Sequence, residues 1–236
     1  MKTFHSANKK SSILERLEPS FTFVDFIMMA FMSYQYFKLW MQPGIGDAEK
    51  IFQMAALMGF EFIMVHSGVF MAVMPRKLSL FLFVPAYGLF AWAFNSIIGG
   101  GNLVVYIYMF AVFNRMRFAF FNVDENLKNK QIGRSVFAAM TYFFLLFGVA
   151  FGSSVLPEFG LNDVNLTRIG YDQAKTHGGL FLDEPQTAIC AGALYYLFLA
   201  MYALPGKWFW NEAKLNKWSA DMETRMEKMK QKKDNN

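Results

Sequence analysis

One acidic residue, Glu61, stands in the middle of an apolar stretch that runs from position 51 to 74. If that stretch crosses a membrane, a carboxylate at mid-depth costs about 2.5–3.5 kcal/mol on insertion scales. Glu61 is therefore expected to face the protein interior, either protonated or paired, because a bare charge is poorly solvated there. His66 follows five residues later, about 140° round a helix at about 100° per residue. The two side chains then point to different neighbours. Asp25 lies roughly one turn inside one end of a first apolar stretch, and Arg115 and Arg117 fall at the matching end of a fourth. Glu61, His66, Asp25, Arg115 and Arg117 form the candidate polar site.

The chemistry open to such a group is proton or cation handling, since histidine titrates near physiological pH. The competing expectation is a structural lock. In it, Glu61 and His66 bond to Tyr36, Asn114, Tyr195 or backbone and fix how the helices sit against one another. Other chemistry finds less support. Met54, Met58, Met64 and Met71 surround His66, and thioethers with imidazole suit copper(I), but methionine is an ordinary filler of irregular cores. The other histidines, His5 and His177, lie in polar regions, which leaves a bis-histidine haem without its second ligand. The single cysteine, Cys190, sits in an apolar run, where it reads as a small buried hydrophobe. There is no phosphate-binding glycine loop, no serine-hydrolase elbow and no paired-histidine zinc motif. The sequence predicts no metal, no cofactor and no catalytic residue.

The elements that must hold these residues are membrane spans. Of 236 residues 55% are hydrophobic and only 17% charged, with 28 phenylalanines, against about 25% charged in soluble domains. Mean hydropathy is only +0.23 because polar ends and one long polar loop dilute it. A helix needs about 20 mostly apolar residues to cross about 30 Å of hydrocarbon. Six windows qualify: 21–41, 51–74, 78–98, 103–121, 136–156 and 187–205. The third and fourth are separated only by Gly99, Gly100, Gly101 and Asn102, which suits a tight helical hairpin. The expected fold is all-α, a polytopic transmembrane bundle of six spans.

Lysine and arginine favour the cytoplasmic side of short loops. With both termini inside, nineteen of the twenty-three basic residues fall in cytoplasmic segments, while Lys50, Arg168 and Lys175 fall outside and Lys38 snorkels outward. The small-residue pairs Ala55/Gly59, Gly68/Ala72 and Gly148/Gly152 permit close helix approach, and those on the second span predict that it is central.

The expected organisation is a polar cytoplasmic segment over 1–20, a bundle over 21–208 with an external loop at 157–186, and a cytoplasmic tail over 209–236. The N-terminal segment shows no signal-peptide pattern. The external loop is long enough to cap the bundle, bind a partner or gate an entrance. Asn165 begins an acceptor pattern for glycosylation, and the stretch 176–179 suits a turn. In the tail, Leu215, Trp218, Met222, Met226 and Met229 recur at helical spacing among basic residues. That pattern predicts a helix on anionic inner-leaflet lipid or on a partner protein.

The pI of about 9.2 does not imply nucleic acid, since the basic residues flank apolar spans. The functional expectation is a non-catalytic component of a cell or inner membrane: an accessory, assembly or scaffold subunit, or a homo-oligomer. The alternative is a small proton- or cation-coupled transporter using Glu61 and His66. A lipid or quinone enzyme, with Asp25, Arg115 and Arg117 lining its cleft, ranks last.

Overall fold

The computed structural model describes residues 13–73, 75–98, 102, 105–106, 109, 125–175 and 178–204. Every regular element among them is helical. The predicted tail, Arg115, Arg117, Asn114, His177 and all but three residues of the window 103–121 lie outside the described residues.

Five long helices carry the architecture: α1 (Ile13–Met41), α2 (Ala48–Val73), α3 (Val84–Ile98), α4 (Glu125–Phe151) and α6 (Pro185–Ala203). A short α5 (Asp163–Ile169) lies in the segment joining α4 to α6. Two stretches among the described residues are long and apolar enough to cross a membrane, Ile132–Phe151 and Pro185–Ala203, and a shorter apolar helical stretch covers Phe81–Ser96. α1 and α2 have the length, at 29 and 26 residues; Asp25 and Lys38 dilute the apolar character of α1, and α2 carries Glu61 and His66. The structure thus shows an all-helical protein with two such stretches.

The helix limits depart from the apolar windows for local reasons. α1 and α4 begin upstream of theirs, in polar sequence, because backbone hydrogen bonding continues past the point where side chains stop being apolar. α4 stops at Phe151 rather than running to 156, where a 3-10 turn over Ser153–Val155 takes over. The window 78–98 is not one regular helix. A π-helical turn spans Ser79–Phe83 immediately before α3. Pro85 has no N–H to donate to the carbonyl four residues back, and its ring crowds that carbonyl, so the ladder shifts register there.

The sequence points to α2 as the central helix; in the structure α6 holds that place with it. α6 packs on α1, α2 and α4, and its contact with α1 is the most extensive in the molecule. Small residues explain this. Ala188, Cys190, Ala191, Gly192 and Ala193 are all buried on α6. A side chain at Gly192 would overlap the ring of Tyr36 on α1, so glycine there lets the two helices close. By contrast, an added Cβ at Gly148 meets nothing within 4 Å, so the Gly148/Gly152 pair is not a helix contact among the described residues. α2 packs on α4, α6 and α3, the last through a smaller apolar cluster around Phe60, Met64 and Ala91.

The connection over 152–184, expected as a long loop, is a compact cap of short helical turns. Leu161, Leu166, Ile169 and Tyr171 are buried beneath it. Asn162 starts α5 by accepting from the amide of Asn165, and Gly170 ends it in the left-handed conformation, the usual stop for a helix. Asn165 of the acceptor pattern therefore sits within α5. The cap is tied to the end of α1. Trp40 Nε1 donates to the Pro157 carbonyl at 3.0 Å, and its indole meets the Phe159 ring edge-on at 5.0 Å. Gly160 lies so close under Met41 and Pro43 that a Cβ would come within 2.8 Å of the Met41 carbonyl.

Candidate functional site

α2 presents Met54, Met58 and Glu61 at spacings of four and three, one face of a helix. Tyrosines from three other helices converge on that face. From α1, Tyr36 donates its hydroxyl to the Met54 carbonyl at 2.9 Å. From α4, Tyr142 donates to the Met58 carbonyl at 2.7 Å. From α6, Tyr195 donates to Glu61 Oε1 at 2.8 Å and Tyr196 to Glu61 Oε2 at 3.3 Å. Each carboxyl oxygen of Glu61 thus receives a phenol donor.

The rings pack on one another as well as reaching α2. Tyr36 stacks on Tyr196 at 5.6 Å, Tyr195 meets Tyr196 edge-on at 5.1 Å, and Tyr142 meets Tyr195 edge-on at 5.7 Å. A buried phenol brings a large apolar ring and one polar atom that must find a partner. Here the carbonyls of α2, which keep a second lone pair after accepting their own helix bond, supply two of the acceptors. Ser33 adds a parallel link, donating to the Ala193 carbonyl at 2.9 Å. The arrangement fixes rotation and height of four helices around a single acid.

The remaining predicted site residues are placed separately. His66 turns away from Glu61. Its Nδ1 lies 2.6 Å from the Phe62 carbonyl; a carbonyl only accepts, so Nδ1 carries the proton. Its ring lies between Phe62 at 4.2 Å and Phe143 of α4 at 5.1 Å. Asp25 forms an ion pair with Arg134 of α4 at 3.2 Å. The sequence points Asp25 toward Arg115 and Arg117, which lie outside the described residues. Glu61, His66 and Asp25 therefore occupy three different environments.

Among the described residues no group of three histidine, cysteine, aspartate or glutamate side chains is placed to hold a metal ion. Cys190 is a buried free thiol.

The chain matches no family model, no curated protein and no solved structure.

Of the partners considered for Glu61, Tyr195 supplies a hydrogen bond, whereas Tyr36 serves the backbone of α2. Tyr142, Tyr196, Arg134 and Gly192 were not singled out by the sequence. The available signal for the tyrosines was simple: a hydroxyl inside an apolar run needs an acceptor, and α2 holds the acid nearest the middle of its run.

Proposed function

We propose that this chain is an integral membrane protein of six spans with both termini in the cytoplasm, serving as a non-catalytic accessory, assembly or scaffold subunit of a membrane complex. The observation that carries the reading is the engagement of Glu61: both carboxyl oxygens take tyrosine hydroxyls from α6, so the acid is used to fix helix packing. The described helices also turn large apolar side chains outward, among them Phe31 on α1, Trp92 on α3, Phe144 and Phe151 on α4 and Phe198 on α6. Exposed faces of this kind favour a lipid solvent.

Relative helix direction supports the topology. Asp25 and Arg134 pair at one end of the bundle and Trp40 meets Pro157 at the other, so α1 and α4 run parallel. Tyr36 and Ser33 meet Gly192 and Ala193, and α6 runs against them. Six spans read from the inside give these directions. The basic tail over 209–236 is proposed to engage anionic inner-leaflet lipid or a partner subunit.

The test is purification of the tagged full chain from its native membrane in mild detergent, alongside Glu61→Gln. A stoichiometric partner retained by both proteins is the expected result. The second reading, a proton- or cation-coupled transporter, draws on Glu61 being an ionisable group held deep among four helices. It requires ion-driven flux in proteoliposomes that Glu61→Gln abolishes while the fold is kept, and that result would replace the first reading.

A further inference from the structure

α1 and α4 are parallel but make little direct helix-to-helix contact; α6 packs on both. They are nevertheless joined at both ends, by different chemistry. At the outer end the join is packed and neutral: Trp40 bonds to the Pro157 carbonyl and meets the Phe159 ring edge-on, and Gly160 is wedged under Met41 and Pro43. At the inner end it is ionic, Arg134 Nη1 to Asp25 Oδ2 at 3.2 Å, with the two side chains 16% and 14% exposed.

Inward of Tyr142, the contacts of α4 with the bundle include this pair and the stack of Phe137 on Tyr202 of α6 at 4.4 Å. On the opposite side of α4, Val136, Met140, Phe144, Phe147 and Phe151 are exposed and meet no packed core among the described residues. Such a helix, fixed at its outer end and open on its outer face, is held at the inner end by this charge pair and that ring stack.

We propose that the Asp25–Arg134 pair is a charge latch, and that its opening lets the inner segment of α4 separate from α1 while the outer end stays pinned to the cap. The proposal rests on the membrane reading, since the released face of α4 must find acyl chains. A group that competes for Arg134, such as an anionic headgroup phosphate, would open it; one that competes for Asp25 would act alike.

The experiment measures two spin-label distances in the full chain, with Cys190→Ala, reconstituted in phospholipid nanodiscs. Reconstitution itself tests the membrane reading: a chain that stays in solution without lipid overturns that reading before any distance is taken. Labels at exposed Ser20 and Gly133 report the inner ends, and labels at exposed Gln42 and Val155 report the outer ends. Asp25→Asn and Arg134→Gln are each expected to lengthen and broaden the inner distance and leave the outer one unchanged. The reversed pair, Asp25→Arg with Arg134→Asp, is expected to restore the original inner distance. An inner distance unmoved by both single variants overturns the latch. So does an equal change at both ends, which marks general loosening, or a folded reversed pair that fails to restore the distance.

Discussion

At Glu61 the physical question is which hydroxyls shelter one acid, and two of them come from one neighbouring helix, α6. Tyr195→Phe removes the shorter of the two bonds at 2.8 Å and keeps the ring. Interhelical hydrogen bonds in membranes average about 0.6 kcal/mol and reach about 1.7, so a loss in that range is expected from reversible unfolding in mixed micelles. Gly192→Ala should cost more, about 1–3 kcal/mol, because the added carbon meets the Tyr36 ring directly; the same titration checks it. The importance of Glu61 was legible in the sequence because a charge in an apolar run has few options. The second donor, Tyr196, was not, since the reach of a phenol across helices depends on rotation and height that no single segment specifies. Arg134 was hidden for a related reason. It precedes the apolar window at 136–156, yet α4 is already helical from Glu125 and carries Arg134 within reach of Asp25.

Among the elements, the cap is the one whose electrostatics lie outside the spans. Asp183 accepts from Lys175 Nζ at 2.8 Å and from the Gly179 amide at 2.9 Å. These bonds, the lysine first and the amide second, hold its pKa below the usual aspartate value. The folded value is the lower one, so the contribution is present above the unfolded range, about 3.9, and is lost as pH falls through the folded value. The protection factor of the Gly179 amide, taken against its intrinsic exchange rate at each pH, is therefore expected to fall on acidification below about pH 4, and Asp183→Asn should remove most of that dependence. Tyr171, buried beneath the same turn, donates to the Leu182 carbonyl at 2.9 Å. Burial first, then the charges of Asp183 and Asp172, raises its pKa, so it remains a donor throughout the acid range.

The turn before α3 makes a second case at this scale. Pro85→Ala restores the missing N–H, and the expected outcome is loss of the π turn and a straighter helix, read from label distances along the segment. Helix existence was legible in the long apolar runs that the described residues cover, as at 21–41 and 187–203. The interruption at Ser79–Phe83 needed the position of Pro85 to be read as a break in hydrogen bonding rather than as part of an apolar run. The cap was not legible as structure because its helical turns are short and its apolar residues, such as Leu161 and Ile169, follow no long period.

For the whole molecule, directions of helices carry more than their hydropathy. The window 21–41 reads as a span by count, but α1 is 29 residues long, about 43 Å at 1.5 Å per residue, so in the proposed topology it would project beyond a bilayer core of about 30 Å. The proposed orientation places Ser20 and Gly133 on the cytoplasmic side and Ile45 and Val164 on the other. With Cys190→Ala, single cysteines at Ile45 and Val164 are expected to react with a membrane-impermeant maleimide added to whole cells. Those at Ser20 and Gly133 should react only after permeabilisation; the reverse pattern sinks the orientation. The apolar windows and the placement of basic residues are what this proposed topology rests on. The centrality of α6 was not legible in the sequence, because a run of alanine and glycine carries little hydropathy, and its worth lies in how closely it admits a tyrosine.

The hydroxyls that shelter Glu61 sit 134 and 135 residues downstream of it. A ribosome adding about 5–20 residues per second needs roughly 7–27 s to cover that interval. Under the proposed membrane topology, α2 would enter the bilayer during that time with its acid unclaimed by α6. A nascent chain stalled before α6 would lack both phenol donors to that carboxyl, a mark of incompleteness that a chaperone or protease inspecting helices within the membrane could read.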